Sequence, residues 1–184
     1  IFLRLDSTVE SIESIRGGSS STLATNAPGG IINMISKTGI SESGSIATTI
    51  GLDYDTLRTD FDFGGEINDT MYFHMGGFYR QGEGPRNTGY VGDNGGQIKA
   101  NLTKEFDNGY VRVYYKHLED KTTGYLPMPM YSDGSSLPGF DSQADTTHSA
   151  NFTSLLTTDG DGNRRRADMR DGMNPSVNSV GLEA

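Results

Sequence analysis

The stretch Leu57–Arg80, LRTDFDFGGEINDTMYFHMGGFYR, decides the fold. Its first half puts Leu57, Thr59, Phe61 and Phe63 on one side and Arg58, Asp60 and Asp62 on the other. Its second half puts Met71, Phe73, Met75 and Tyr79 on one side and Tyr72, His74, Phe78 and Arg80 on the other. A period of two is the signature of a β-strand with unlike faces. Between the halves, Ile67-Asn68-Asp69-Thr70 is short and rich in turn formers, so the two strands form an antiparallel hairpin.

The pattern extends to both sides. Ile98, Ala100, Leu102 and Phe106 alternate with Gln97, Lys99, Asn101, Thr103 and Glu105, and Val111, Val113 and Tyr115 alternate with Arg112, Tyr114 and Lys116. A weaker strand, from Gly44, places Ile46, Ile50 and Leu52 together. That makes five strands, each near the ~9–11 residues that cross a bilayer on a tilt. Asp53–Thr56, Ile67–Thr70 and Asp107–Gly109 are tight connections, residues 81–95 form a long Gly-rich loop, and a very long irregular stretch follows Lys121. The end, NPSVNSVGLEA, can open a sixth strand. Tight turns on one side and mostly longer loops on the other suit a membrane β-barrel. A soluble antiparallel sheet with one wet face has the same period. The polar face carries Arg, Lys, Asp and Glu while the other is largely aromatic and aliphatic over five strands, which favours the barrel.

Composition sets limits. Apolar residues make up only 33% of 184, too few for an ordinary compact core, and there are 25 glycines. A net charge of −9 argues against binding to nucleic acid. The absence of cysteine excludes disulfides, thiolate metal sites and cysteine nucleophiles. The chain starts without Met and inside a pattern, which reads as a fragment of a longer protein.

The first forty residues differ in kind. VESIESIRGG and GGIINMISKTG read as two short strands around a Gly/Ser/Asn/Pro turn region, with a single helical turn allowed at STLA. Ile31–Ile35 is apolar on both faces and is expected to be buried on both sides. The glycine spacing fits neither a phosphate-binding loop nor a dinucleotide loop.

This segment resembles the end of the plug domain of TonB-dependent outer-membrane receptors. The resemblance rests on Val9-Glu10, Ile12-Glu13, Arg16-Gly17, Asn26-Ala27-Pro28-Gly29-Gly30, Ile32-Asn33 and Ser36-Lys37, in that order. Leu23-Ala24-Thr25 stands where many members carry a Tyr-Gly pair, and Ser14 replaces a common Val. The resemblance implies an all-β fragment. Residues 1–40 form the C-terminal part of a plug, and residues 41–184 form the N-terminal strands and extracellular loops of a large barrel that cannot close alone. It further implies an active transporter in the bacterial outer membrane, not an enzyme, with no cofactor or metal. Partners are the TonB energising complex, outer-membrane lipid and an external solute, ferric siderophore first, with cobalamin or an oligosaccharide as options. A passive porin-like or structural barrel and a soluble carbohydrate-binding sheet are the alternatives.

Candidate solute contacts in the loops are Arg86, Tyr90, Tyr125 and Tyr131, with Phe140 also aromatic. Arg16, Gly17, Asn26, Gly29, Gly30 and Asn33 are structural residues of the plug motif. Arg16 is expected to meet a carboxylate, either in barrel strands beyond this chain or at Asp60 or Asp62 within it. Asp159–Asn163, DGDGN, has alternating oxygen ligands, but Arg164 and Arg170 occupy the positions where an EF-hand needs Gly and Glu, so a solvated turn is the expectation. The three arginines Arg164–Arg166 are expected in a solvated loop.

Overall fold

The computed structural model describes residues 3–16, 29–52, 55–85, 88–124, 130–135, 137 and 155–184. The described residues form an all-β structure. Its main body is a six-stranded antiparallel sheet in the order β10-β7-β6-β5-β4-β3. The strands are β3 (Ser43–Gly51), β4 (Thr56–Asn68), β5 (Met71–Gly82), β6 (Asp93–Phe106), β7 (Gly109–Lys121) and β10 (Ser176–Glu183). The five strands legible in the sequence form a meander, and the expected sixth returns after the long excursion to pair with β7.

Turn chemistry accounts for the tight end. Asn68 Oδ1 accepts from the Thr70 backbone N–H at 3.1 Å and its hydroxyl at 3.1 Å, so the residue closes the β4–β5 turn with its own side chain. At the opposite end, β8 (Leu155–Thr158) and β9 (Arg164–Ala167) form a small hairpin of their own. Arg164–Arg166 therefore lie in an exposed strand, where the sequence suggested a loop. The turn between β8 and β9 is tied by Asp159 Oδ1, which accepts from the N–H groups of Asp161 at 3.1 Å and Asn163 at 2.8 Å.

Glycines set the path of the sheet. A Cβ on Gly77 would lie 1.9 Å from the Gln97 carbonyl oxygen, and one on Gly96 would lie 1.9 Å from that of Phe78. No side chain fits at either position, so the backbones of β5 and β6 close on each other there, a standard means of curving a sheet.

β1 (Val9–Ile15) and β2 (Ile31–Ser36) pair as a separate antiparallel hairpin. Its neck is closed by the Lys37 N–H donating to the Thr8 carbonyl at 2.9 Å. β2 is not buried on both sides: Ile32 is 67% exposed. The apolar run has only β1 beside it among the described residues, so it forms a strand without a covering layer.

The six-stranded sheet buries the face that soluble sheets expose. On the charged face Asp120 is 0%, His74 1% and Asp62 2% exposed; on the apolar face Ile46 is 78% and Leu182 74% exposed.

Candidate functional site

The charged face is covered by residues 3–8, which run across it as a strap, and by Lys37 at the hairpin neck. Arg4 Nε donates to Asp120 Oδ2 at 2.6 Å. Asp120 also takes two bonds from Arg80, at 2.8 and 3.0 Å, while the third Arg80 nitrogen reaches Asp93 at 2.6 Å. Thr122 Oγ1 donates to Asp93 at 2.8 Å, so this cluster joins β5, β6 and β7 to the strap below the long loops. Further along, Arg58 donates to the Leu5 carbonyl at 2.8 Å, holds Asp60 through two nitrogens and lies 4.0 Å from the centre of the Phe78 ring.

Gln97 Nε2 donates to the Arg4 carbonyl at 2.8 Å and to Asp6 at 2.5 Å, and Lys99 Nζ donates to both Asp6 and Thr8 at 3.3 Å. At the neck, Lys37 Nζ donates to Asp62 Oδ2 at 2.8 Å, His74 Nε2 lies 3.2 Å from the same oxygen, and Ser45 donates to the other oxygen. Asn101 Nδ2 donates to the Lys37 carbonyl at 2.8 Å. Each buried charge described here has an opposite charge or several hydrogen bonds, as burial demands.

Of the partners expected for Arg16, neither Asp60 nor Asp62 within this chain is taken up. Asp60 is taken by Arg58 and Asp62 by Lys37, while Arg16 reaches Ser14 at 3.4 Å on the exposed hairpin. The charge of this segment that meets the six-stranded sheet is Lys37, two residues beyond Ile35 at the neck, whereas Arg16 lies past the far end of β1. Asn33 donates to Glu13 at 3.0 Å across the hairpin, and Gly30 has φ +114° with no room for a Cβ beside the Ile15 carbonyl. Gly29 is an exposed turn residue. Gly17 and Asn26 lie outside the described residues, as do Arg86, Tyr125 and Phe140.

The two remaining loop candidates are held by different partners. Tyr90 is half-buried in the β5–β6 loop, where its carbonyl accepts from Thr88 at 2.8 Å. Burial pushes its phenol pKa up, with Asp168 also raising it and Thr123 and Arg170 opposing. Tyr131 is half exposed in a turn closed by the Gly134 N–H on its carbonyl at 2.9 Å. Among the described residues no group of three His, Cys, Asp or Glu side chains could hold a metal ion.

The exposed face carries a pattern that appears only once register is known. Register partners on this face form rows across the strands. One row reads Ile50, Leu57, Gln81, Asn94, Lys121, turning polar between β4 and β5. The next reads Thr48, Thr59, Tyr79, Gly96, Glu119, Ser176, keeping its aromatic residue on β5. The third reads Ile46, Phe61, Gly77, Ile98, His117, Asn178, turning polar between β6 and β7. The fourth reads Gly44, Phe63, Met75, Ala100, Tyr115, Val180 and has no polar end. The limit of the apolar band thus shifts by two residues for each strand crossed. Two residues are about 6.8 Å and one strand spacing about 4.8 Å, so the band lies roughly 55° off the rows.

No family model, curated protein or solved structure matches this chain.

Proposed function

We propose that this chain is part of a TonB-dependent outer-membrane transporter, comprising the end of the plug and six successive strands of the barrel wall. One observation carries the reading: an exposed apolar band whose limit crosses the strands obliquely, behind a charged face that is buried and paired. A soluble sheet has no reason to cut its apolar face obliquely. Strands tilted in a bilayer do, because the membrane plane then crosses the hydrogen-bonded rows at the tilt angle, ~35–45° in such barrels. The strap and neck, lying on the charged face, are the part of the plug that rests against this stretch of wall.

In this reading a scarce solute, ferric siderophore first and cobalamin or an oligosaccharide next, binds at the loop end. The energising complex then draws on the plug from the periplasmic side. Plug movement along this wall has to exchange Arg4–Asp120, Asp6–Lys99 and Lys37–Asp62 for water or for one another. Lysines and arginines on flexible stems suit such an exchange, because each can pass between carboxylates without a long unpaired interval. No bond of the solute is made or broken.

The test is uptake by cells that express the full-length protein carrying this chain, measured with labelled ferric siderophores, cobalamin and oligosaccharides. Saturable uptake that an uncoupler abolishes supports active transport. Uptake linear in concentration and indifferent to the uncoupler places the protein among passive barrels. Recovery of the protein in the soluble fraction overturns both.

A further inference from the structure

Lys99 and Lys116 stand directly opposite each other across β6 and β7, on the charged face. Like charges in that arrangement repel. The neighbouring positions of the same row offer them no carboxylate. Beyond Lys116 comes Ser179, and beyond Lys99 comes Gly76, where a Cβ would lie 2.5 Å from the Phe61 carbonyl oxygen. Asp62 follows on β4, but Lys37 and His74 hold it. The strap supplies Asp6, which acts on both lysines. The linked groups Arg4, Arg80, Lys99 and Lys116 thus face Asp6, Asp93 and Asp120, and among the described residues this part of the wall carries one positive charge in excess.

The excess borders a cavity of about 230 Å³. Thr8 of the strap and Ser36 of β2 line it together with His74, Lys99, Asn101 and Lys116 of the sheet. A water molecule takes ~30 Å³, so the space holds a small ion and several waters. The lining also includes an acceptor in need of a donor. Asn101 gives its Nδ2 to the Lys37 carbonyl, which fixes the amide, and its buried Oδ1 has no partner among the described residues. The site thus asks for negative charge and for a hydrogen-bond donor at once.

We propose that this cavity binds a small protonated oxyanion, with hydrogen phosphate as the probe. Its ionised oxygens accept from Lys99 and Lys116, and its P–O–H donates to Asn101 Oδ1. Sulfate brings the charge but no proton at neutral pH, so it leaves the Asn101 oxygen without a donor and sets its own oxygens against it. The bound ion joins the strap to the wall beside the bonds that Lys99 already gives to Asp6 and Thr8. The site needs only the strap and the sheet, and it depends neither on the transported solute nor on the membrane.

The experiment is calorimetric titration of the full-length protein with phosphate and, separately, with sulfate, at neutral pH and constant ionic strength. Phosphate is expected to bind about tenfold more tightly than sulfate, the worth of one hydrogen bond to a charged partner. Lys116→Gln should weaken phosphate about tenfold, and Asn101→Leu should bring the ratio of the two affinities towards one. Arg165→Ala, which removes a positive charge from the β8–β9 hairpin, should change neither. Absence of saturable phosphate binding overturns the site, and so does equal binding of the two anions by the unaltered protein. A phosphate preference that survives both Lys116→Gln and Asn101→Leu overturns it as well, because the ion then sits elsewhere. The comparison of the two anions on the unaltered protein decides even where a variant fails to fold.

Discussion

Asp62 and Phe63 are adjacent in β4 and have opposite surroundings. Asp62 is 2% exposed and takes bonds from Lys37, Ser45 and His74; Phe63 is 46% exposed and touches the edge of Phe73 at a centroid distance of 5.9 Å. The contrast holds strand after strand, and it teaches that the period-two pattern says only that the faces differ. Which face is inside depends on what covers each. Here the strap supplies the cover for the charged face, and its groups are the ones that face needs.

The largest expected effect is on the charged face. Asp120→Ala leaves Arg4 and Arg80 without their shared acceptor in a buried site and should cost about 3–5 kcal/mol, read from urea unfolding of the full-length protein in lipid vesicles. A loss below about 1 kcal/mol would mean that water already fills this face. Next comes the apolar face. Phe63→Lys should cost about 2–4 kcal/mol in lipid if the position lies near the bilayer midplane. A negligible cost there would remove the bilayer from the exposed face and leave the contrast between faces without its cause.

The third prediction concerns the oblique limit. Ile50 and Asn94 occupy one row on opposite sides of it. Ile50→Lys should cost about 1–3 kcal/mol in the same assay, and Asn94→Lys no more than about 0.5. Equal costs would mean that the band follows the rows and the strands stand upright.

The smallest effect is in the loops. Asp168 is held at about 2, below the ordinary 3.8, chiefly by the Arg170 side chain and then by the Arg170 backbone N–H. A depressed carboxylate stabilises its fold above the unfolded pKa and loses that contribution as pH falls through the folded one. Protection of the Arg170 amide from hydrogen exchange should therefore hold down to about pH 4 and fade between about pH 4 and pH 2. The pair is exposed, so salt should weaken it. Protection indifferent to pH in that window would show that the turn is ordered by the Thr122–Met173 bridge alone.

Much of the fold was legible because both signals were local. Alternation in Leu57–Arg80 set two strands and their facing, and Asn68 announced the turn between them. The hairpin around Asn33 was legible for the same reason. The pairing of charges was not, because it depends on which rung of the sheet meets which part of the strap. Lys37 stood in the quoted motif beside Ser36, yet only register brings it over Asp62, and the alternation of Leu3 and Leu5 with Arg4 and Asp6 in the strap is too short to mark which surface it meets. The oblique limit was hidden likewise. Each strand shows its own apolar length, but the shift between strands is a property of pairing, and a connection as long as 122–175 does not fix the register of β10 on β7. β8 and β9 escaped notice because three successive arginines show no alternation.

The strap also imposes an order of events on a chain made from its N-terminus. Lys37 finds Asp62 only 25 residues later, but Arg4 has to wait 116 residues for Asp120. The neck can lock as soon as the first hairpin of the sheet exists and Gln97 on β6 can hold the Arg4 carbonyl, whereas the Arg4 side chain has no acceptor until β7 is in place. Asp120 thus gains its strap partner last, only when every strand from β3 to β7 is present.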